Sequence, residues 1–128
     1  LFHKELDRLS LVWERCHQPG EPVLFFLDEM LRGTNPLDRH NGSCWVLRLL
    51  ARQDASGLVA THDLGLTTLE DGENVRLSVQ NRHFSCRITS KECLFDYRLL
   101  PGSAPSVNAL PLMRQRGFPI PLETGEAD

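Results

Sequence analysis

The stretch PVLFFLDEMLRGTNPLDRH, Pro22 to His40, decides how this chain is read. Val23 to Leu27 is a short, continuous, β-prone apolar run. Such a run suits a strand covered on both faces, as in a parallel sheet. It delivers two adjacent carboxylates, Asp28 and Glu29, and then a Gly-Thr-Asn-Pro loop. In open α/β sheets ligands bind beyond the carboxyl ends of the strands, so both acids stand where a site is built.

Outward toward the N-terminus, Phe2, Leu6, Leu9, Trp13 and Cys16 recur at helical spacing with charged residues between them. This predicts an amphipathic helix that stops at HQPGEP, where Gly20 and two prolines break it. Outward toward the C-terminus, a second helix is expected from about Leu37 to Gln53. Val46, Leu49 and Leu50 share its face, Trp45 flanks it, and Gly42 weakens its first turn by about 1 kcal/mol relative to Ala. A second buried strand, Leu58 to Thr61, follows, then a short helix over LGLTTLE. Strand, helix, strand with both strands apolar implies a right-handed parallel crossover.

Beyond Gly72 the pattern changes. Phe84, Cys86 and Ile88 alternate with polar residues, and so do Cys93, Phe95, Tyr97 and Leu99, with TSKE as a turn between them; this reads as a hairpin. Val75, Leu77 and Val79 alternate in the opposite register, which a bulge or turn near Asn81 would reconcile. A last helix is expected over about Ser106 to Arg116, with Asn108 as N-cap and Pro111 in its first turn. Residues 119–128 read as a polar tail.

The chain of 128 residues is long enough for one domain with its own core. Its composition (41% hydrophobic, 24% charged, net charge -3) is that of an ordinary globular protein and lacks the basic stripe needed to wrap nucleic acid. No apolar run approaches the roughly 20 residues of a membrane span, so no membrane contact is expected. The N-terminus does not read as a signal peptide, and without an initiator Met the chain reads as a piece of something longer. Cys16, Cys44, Cys86 and Cys93 show no CxxC spacing and no His at a zinc-like offset. They are expected to be small buried hydrophobes in a reducing, cytoplasmic compartment. Glu5, Asp7, Glu70 and Asp71 read as solvated charges.

A hydrophobic strand ending in Asp-Glu is the Walker B pattern of P-loop ATPases. If the two strands are neighbours, His62 at the end of the second faces the same crevice as Asp28 and Glu29. LFFLDEMLRGTNPLDRH followed by GLVATHDLGLTTLE resembles the ATPase domain of the MutS family of mismatch-repair proteins. The matched positions are Asp28, Glu29, Arg32, Gly33, Thr34 and Asp38, then Ala60, Thr61 and His62, and more loosely Asn81 and His83 in the hairpin. SAPSVNALPLMRQRGF is similar to the closing segment of shorter MutS-like proteins. The resemblance covers about Phe2 to Phe118.

The resemblance implies a partial P-loop NTPase of the ABC type: a parallel sheet with flanking helices and a C-terminal β-hairpin. It implies ATP and Mg²⁺ as cofactors. Glu29 would orient the attacking water and His62 would contact the γ-phosphate region. Asp28 would hold Mg²⁺ through water, and Thr34, Asn35 and Asp38 would lie at the nucleotide. The loop Arg32–Asp38 would link the two ATP sites of a homodimer, and the helix starting near Leu1 would be the family's signature helix. DNA would be bound by upstream domains. The phosphate loop G-x-x-x-x-G-K-[ST] does not occur in the chain and in this family precedes Walker B. The segment is therefore expected to be inactive alone. Asn35 and Pro36 stand where the best-known members have small hydroxyl residues, and Arg39 where they have Gly. Two other readings stay open: another ABC-type ATPase, SMC-like or a transporter subunit, and a non-catalytic dimerisation module.

Overall fold

The computed structural model describes residues 1–71, 79–89, 92–105 and 109–121. The expectations for Val75, Leu77, the Asn108 cap and the tail beyond 121, and those for the charges of Glu70 and Asp71, lie outside what is described. The chain divides into two compact units, Leu1–Asn81 and Arg82–Asp128.

The first unit is a small α/β layer. Helix α1, Phe2–His17, forms where the apolar spacing predicts it and ends at Gln18, whose backbone is extended. Phe2, Leu9, Val12, Trp13 and Cys16 meet the core. Leu6 is exposed instead, because it borders an apolar groove that separates α1 from the next helix. Strand β1, Val23–Asp28, pairs in parallel with β2, Ala55–Ala60, from Val23 opposite Ala55 to Asp28 opposite Ala60. Helix α2, Pro36–Ala51, makes the crossover. β2 begins before the expected Leu58 and stops before Thr61. Ala55, Ser56 and Gly57 join the ladder because main-chain pairing needs no apolar side chain. A 3-10 helix, Leu64–Asp71, stands at the LGLTTLE segment.

The expected cover on both faces of these strands is absent among the described residues. Along β1 burial alternates. Val23, Phe25 and Leu27 join Trp13 and Cys16 of α1 and Leu50 of α2 in one core. On the other face Leu24, Phe26 and Leu58 are 63%, 67% and 67% exposed. A continuous apolar run permits either arrangement, and with two strands and two helices only one face is filled.

α2 buries two sides. Leu50, 1% exposed, belongs to the sheet core, and Cys44 packs against Leu66 and Leu69 of the 3-10 helix. Gly42 has a packing reason that offsets its weak helix propensity: a Cβ there would come within 2.6 Å of Leu31 Cδ1. Asp7 is exposed, as expected. Cys16 and Cys44 are free and buried, also as expected.

The second unit is an antiparallel hairpin, β3 Arg82–Ile88 and β4 Cys93–Pro101, followed by helix α3 Ala109–Gln115. Thr89 and Glu92 close the predicted turn, with Thr89 N donating to Glu92 O at 2.8 Å. The hairpin carries an irregularity of its own, and the bulge or turn expected near Asn81 bears on residues 75–79, which lie largely outside the described residues. Phe84 to Cys86 spans two residues while their partners Leu99 to Phe95 span four. Tyr97, at φ 55°, takes up the excess in β4, and Arg98 N donates to Asp96 Oδ1 at 3.1 Å. Cys86 and Cys93 are joined in a disulfide near the turn, which corrects the expectation that they are free. Hairpin pairing brings their Cα atoms to 6.0 Å, within bridging distance, a proximity that the seven-residue spacing alone does not reveal. Pro111 sits in the first turn of α3. Part of the expected tail is held: Arg114 donates to the carbonyls of Ile120 (3.1 Å) and Pro121 (2.6 Å).

Candidate functional site

The site forms at the carboxyl ends of β1 and β2. β1 ends at Asp28, and the next peptide still belongs to the sheet, since Glu29 N donates to Ala60 O at 2.9 Å. Glu29 then turns into the left-handed region, φ 49°, and Leu31 does so again at φ 58°. For non-glycine residues such backbone costs of order 1–3 kcal/mol and persists only where surroundings enforce it. Here Met30 and Leu31, both buried, pin the turn from inside.

The loop after the turn is tied to α1. Glu5, read from sequence as a solvated charge, accepts from Arg32 N (3.1 Å, Oε1) and Gly33 N (2.9 Å, Oε2). Glycine at position 33 allows the approach: a Cβ there would lie 2.8 Å from Phe2 Cβ and 3.0 Å from Phe2 Cα. Nothing in sequence distinguishes Glu5 from its neighbours, because its partners are main-chain N–H groups nearly thirty residues away.

α2 starts on a reciprocal cap. Asn35 Oδ1 accepts from Asp38 N (2.9 Å), and Asn35 Nδ2 donates to Asp38 Oδ2 (2.6 Å), with Pro36 next in the first turn. Asn35 and Asp38 thus have a complete structural role. Arg39, one residue on, reaches back to the strand end. Its Nη2 pairs with Glu29 Oε2, and its Nε donates to Met30 O at 3.1 Å. The other oxygen of the carboxylate, Oε1, lies 3.2 Å from His62 Nδ1. Glu29 is largely covered while the His62 ring stands in solvent, so this second pair sits at the rim.

A second cluster lies beside the first. His40 Nδ1 donates to Asp63 Oδ2 at 2.6 Å, and its Nε2 faces the Cys44 sulfur at 3.6 Å. Asp63 also caps the 3-10 helix, accepting from Gly65 N at 2.9 Å, and its own N–H donates to Thr61 Oγ1 at 3.0 Å. The loop that carries His62 is thereby fixed to α2. Burial pushes the Cys44 thiol above its ordinary range; nearby Arg48 pulls it down and Asp63 pushes it up. That thiol is held protonated, which suits a packing role.

Thr34, Pro36, Arg39, His40, His62 and Asp63 line a cleft of about 310 Å³. The expected site residues divide accordingly. Glu29 and His62 come together at 3.2 Å; of the two, His62 lines the cleft, with Thr34. Asp28 does not: it is exposed, alternating with Leu27 on the open side of β1, and it is not among the cleft-lining residues. Of the three side chains expected to face one crevice, His62 lines the cleft, and Glu29 borders it through its contacts with His62 and Arg39. Asn81 Nδ2 donates to Thr67 O at 2.8 Å within the first unit, and His83 Nδ1 donates to Gly102 O at 2.9 Å within the hairpin unit. Reasoning from sequence missed Glu5, the Glu29 contact of Arg39, and the His40–Asp63 pair. His40 and Cys44, four apart on a helix, carried the one readable signal.

Among the described residues no group of three or more His, Cys, Asp or Glu side chains is arranged to hold a metal ion. Among the described residues Asp28 has no ion-pair partner, and Mg²⁺ needs only one or two carboxylates because it keeps several waters. A lone exposed carboxylate fits that mode. Among the described residues no helix is long and apolar enough to cross a membrane. No model of a known protein family matches the chain.

Proposed function

We propose that this chain is the hydrolytic half of a MutS-like ATPase site, whose phosphate-binding loop comes from sequence that precedes Walker B in that family. The observation that carries the reading is the pairing of Glu29 with His62 across two adjacent parallel strands, at their carboxyl ends, 3.2 Å apart. An acid held in left-handed backbone at that place is costly to maintain, and such strain gathers at functional sites.

In this reading Glu29 orients the attacking water and takes its proton. A carboxylate suits the task because it is ionised at neutral pH and accepts a proton in the transition state. His62, at the cleft rim, contacts the phosphate that is attacked. Thr34 lines the cleft and hydrogen-bonds the nucleotide. Asn35 and Asp38 act mainly through the α2 cap, which fixes the loop from Arg32 onward. Asp28 would hold Mg²⁺ through water; when bound, the ion neutralises charge on the transferred phosphoryl group. The parent would work as a homodimer and couple this cycle to DNA handled by other domains.

The test is Glu29→Gln in a protein that carries the phosphate loop. ATP binding should be retained while turnover at saturating ATP falls by about 10² to 10⁴, the usual worth of a positioned base. Unchanged turnover would make Glu29 a structural acid and end the reading.

A further inference from the structure

Arg39 has no counterpart in the role just described, yet it makes the closest contact to the candidate base. Its Nη2 holds Glu29 Oε2 and its Nε holds Met30 O, so one guanidinium clamps the carboxylate and the strained turn together. His62 occupies the other oxygen. With Arg39 on one oxygen and the His62 ring on the other, both oxygens of the carboxylate are engaged, and a water to be activated must compete with these partners for Glu29. For Glu29 to take up a water, one of these partners must let go.

Arg39 is the one positioned to do so. Its backbone is fixed in α2, where Arg39 N donates to Asn35 O at 2.9 Å. Its side chain is 32% exposed and lines the cleft with Thr34 and His62. Only side-chain torsions separate its position on Glu29 from the cleft interior. A phosphate chain in that cleft offers several anionic oxygens in the bidentate geometry that a guanidinium matches, against a single carboxylate oxygen now.

We infer that Arg39 is a positioning residue that passes its guanidinium from Glu29 to the phosphate chain of a bound nucleotide, so that Glu29 is released only when the cleft is filled. The inference rests on the nucleotide reading of this cleft. It makes Arg39 both a phosphate contact and a brake on water activation in the empty site.

The test uses a protein that carries the phosphate loop together with this chain, with nitrogens isotopically labelled throughout and backbone and side-chain N–H resonances followed by NMR as Mg-ATP is raised through roughly millimolar concentrations. Arg39→Lys assigns the Arg39 Nε–H signal by its disappearance. The expected result is that this signal moves and exchanges faster with water as Met30 O is released, while Thr34 and His62 signals shift in step. Arg39→Lys keeps the charge and loses the fork, and should weaken apparent Mg-ATP affinity about tenfold. If Mg-ATP shifts Thr34 and His62 but leaves Arg39 in place, Arg39 is a static clamp: the inference fails and the nucleotide reading survives. If no cleft signal moves, the nucleotide reading fails and takes the inference with it. Sequential assignment of the wild-type protein identifies the Arg39 signal independently, so the wild-type titration decides between these outcomes even if the variant folds poorly.

Discussion

Gly33→Ala tests the coupling between the loop and α1 that holds the whole site in place. The added Cβ would meet Phe2 Cβ at 2.8 Å, Phe2 Cα at 3.0 Å and Glu5 Oε2 at 3.0 Å. Two of these atoms belong to the helix backbone or its first side-chain carbon and cannot rotate away, so loop and helix must separate by a few tenths of an ångström. Overpacking of this kind costs about 1–3 kcal/mol. Separation also stretches the 2.9 Å bond from Gly33 N to Glu5, worth about another 1 kcal/mol. Against this, Ala restricts the unfolded chain and returns about 0.4–1 kcal/mol. Gly33 is not among the positive-φ glycines, so backbone strain adds nothing. The balance is a loss of about 1–3 kcal/mol, out of the roughly 5–15 kcal/mol typical of a domain. Both tryptophans, Trp13 and Trp45, lie in the first unit, so their fluorescence reports its melting specifically. The midpoint should fall by about 4–20 °C. A midpoint equal to or above wild type would refute the argument that this close approach constrains the site.

Burial pushes the Cys16 and Cys44 thiols above their ordinary range, so little thiolate is present near neutral pH. Iodoacetamide should label both at least about tenfold more slowly in the native chain than in urea, with the native rate still climbing as pH rises; equal rates by mass spectrometry would contradict it. The open face with Leu24, Phe26 and Leu58, beside strands with unpaired edges among the described residues, should drive concentration-dependent self-association in sedimentation, relieved by Phe26→Lys. A monodisperse wild-type monomer that melts above about 65 °C would overturn this.

The elements with a local signal are legible in the chain. The apolar spacing of Phe2, Leu9, Trp13 and Cys16 specifies α1, the run Val23–Leu27 specifies β1, and the alternation through Phe84 and Cys93 specifies the hairpin. The sequence also placed Glu29 and His62 at strand ends, because a strand-helix-strand pattern puts both carboxyl ends on one edge. The rest depends on partners far apart in the chain. Glu5 holds the Arg32–Gly33 peptides, Arg39 clamps Glu29, and His40 ties Asp63 to α2. Each is a charged or polar residue of a type that is usually solvated, and its role follows from geometry with no periodicity to announce it. Whether Phe26 and Leu58 are covered belongs to the same class. An apolar run records that a strand is buried on demand, but the number of layers around it is a property of the assembled fold. Cys86 and Cys93 close the contrast: their spacing is silent, and hairpin pairing alone brings them within reach of each other.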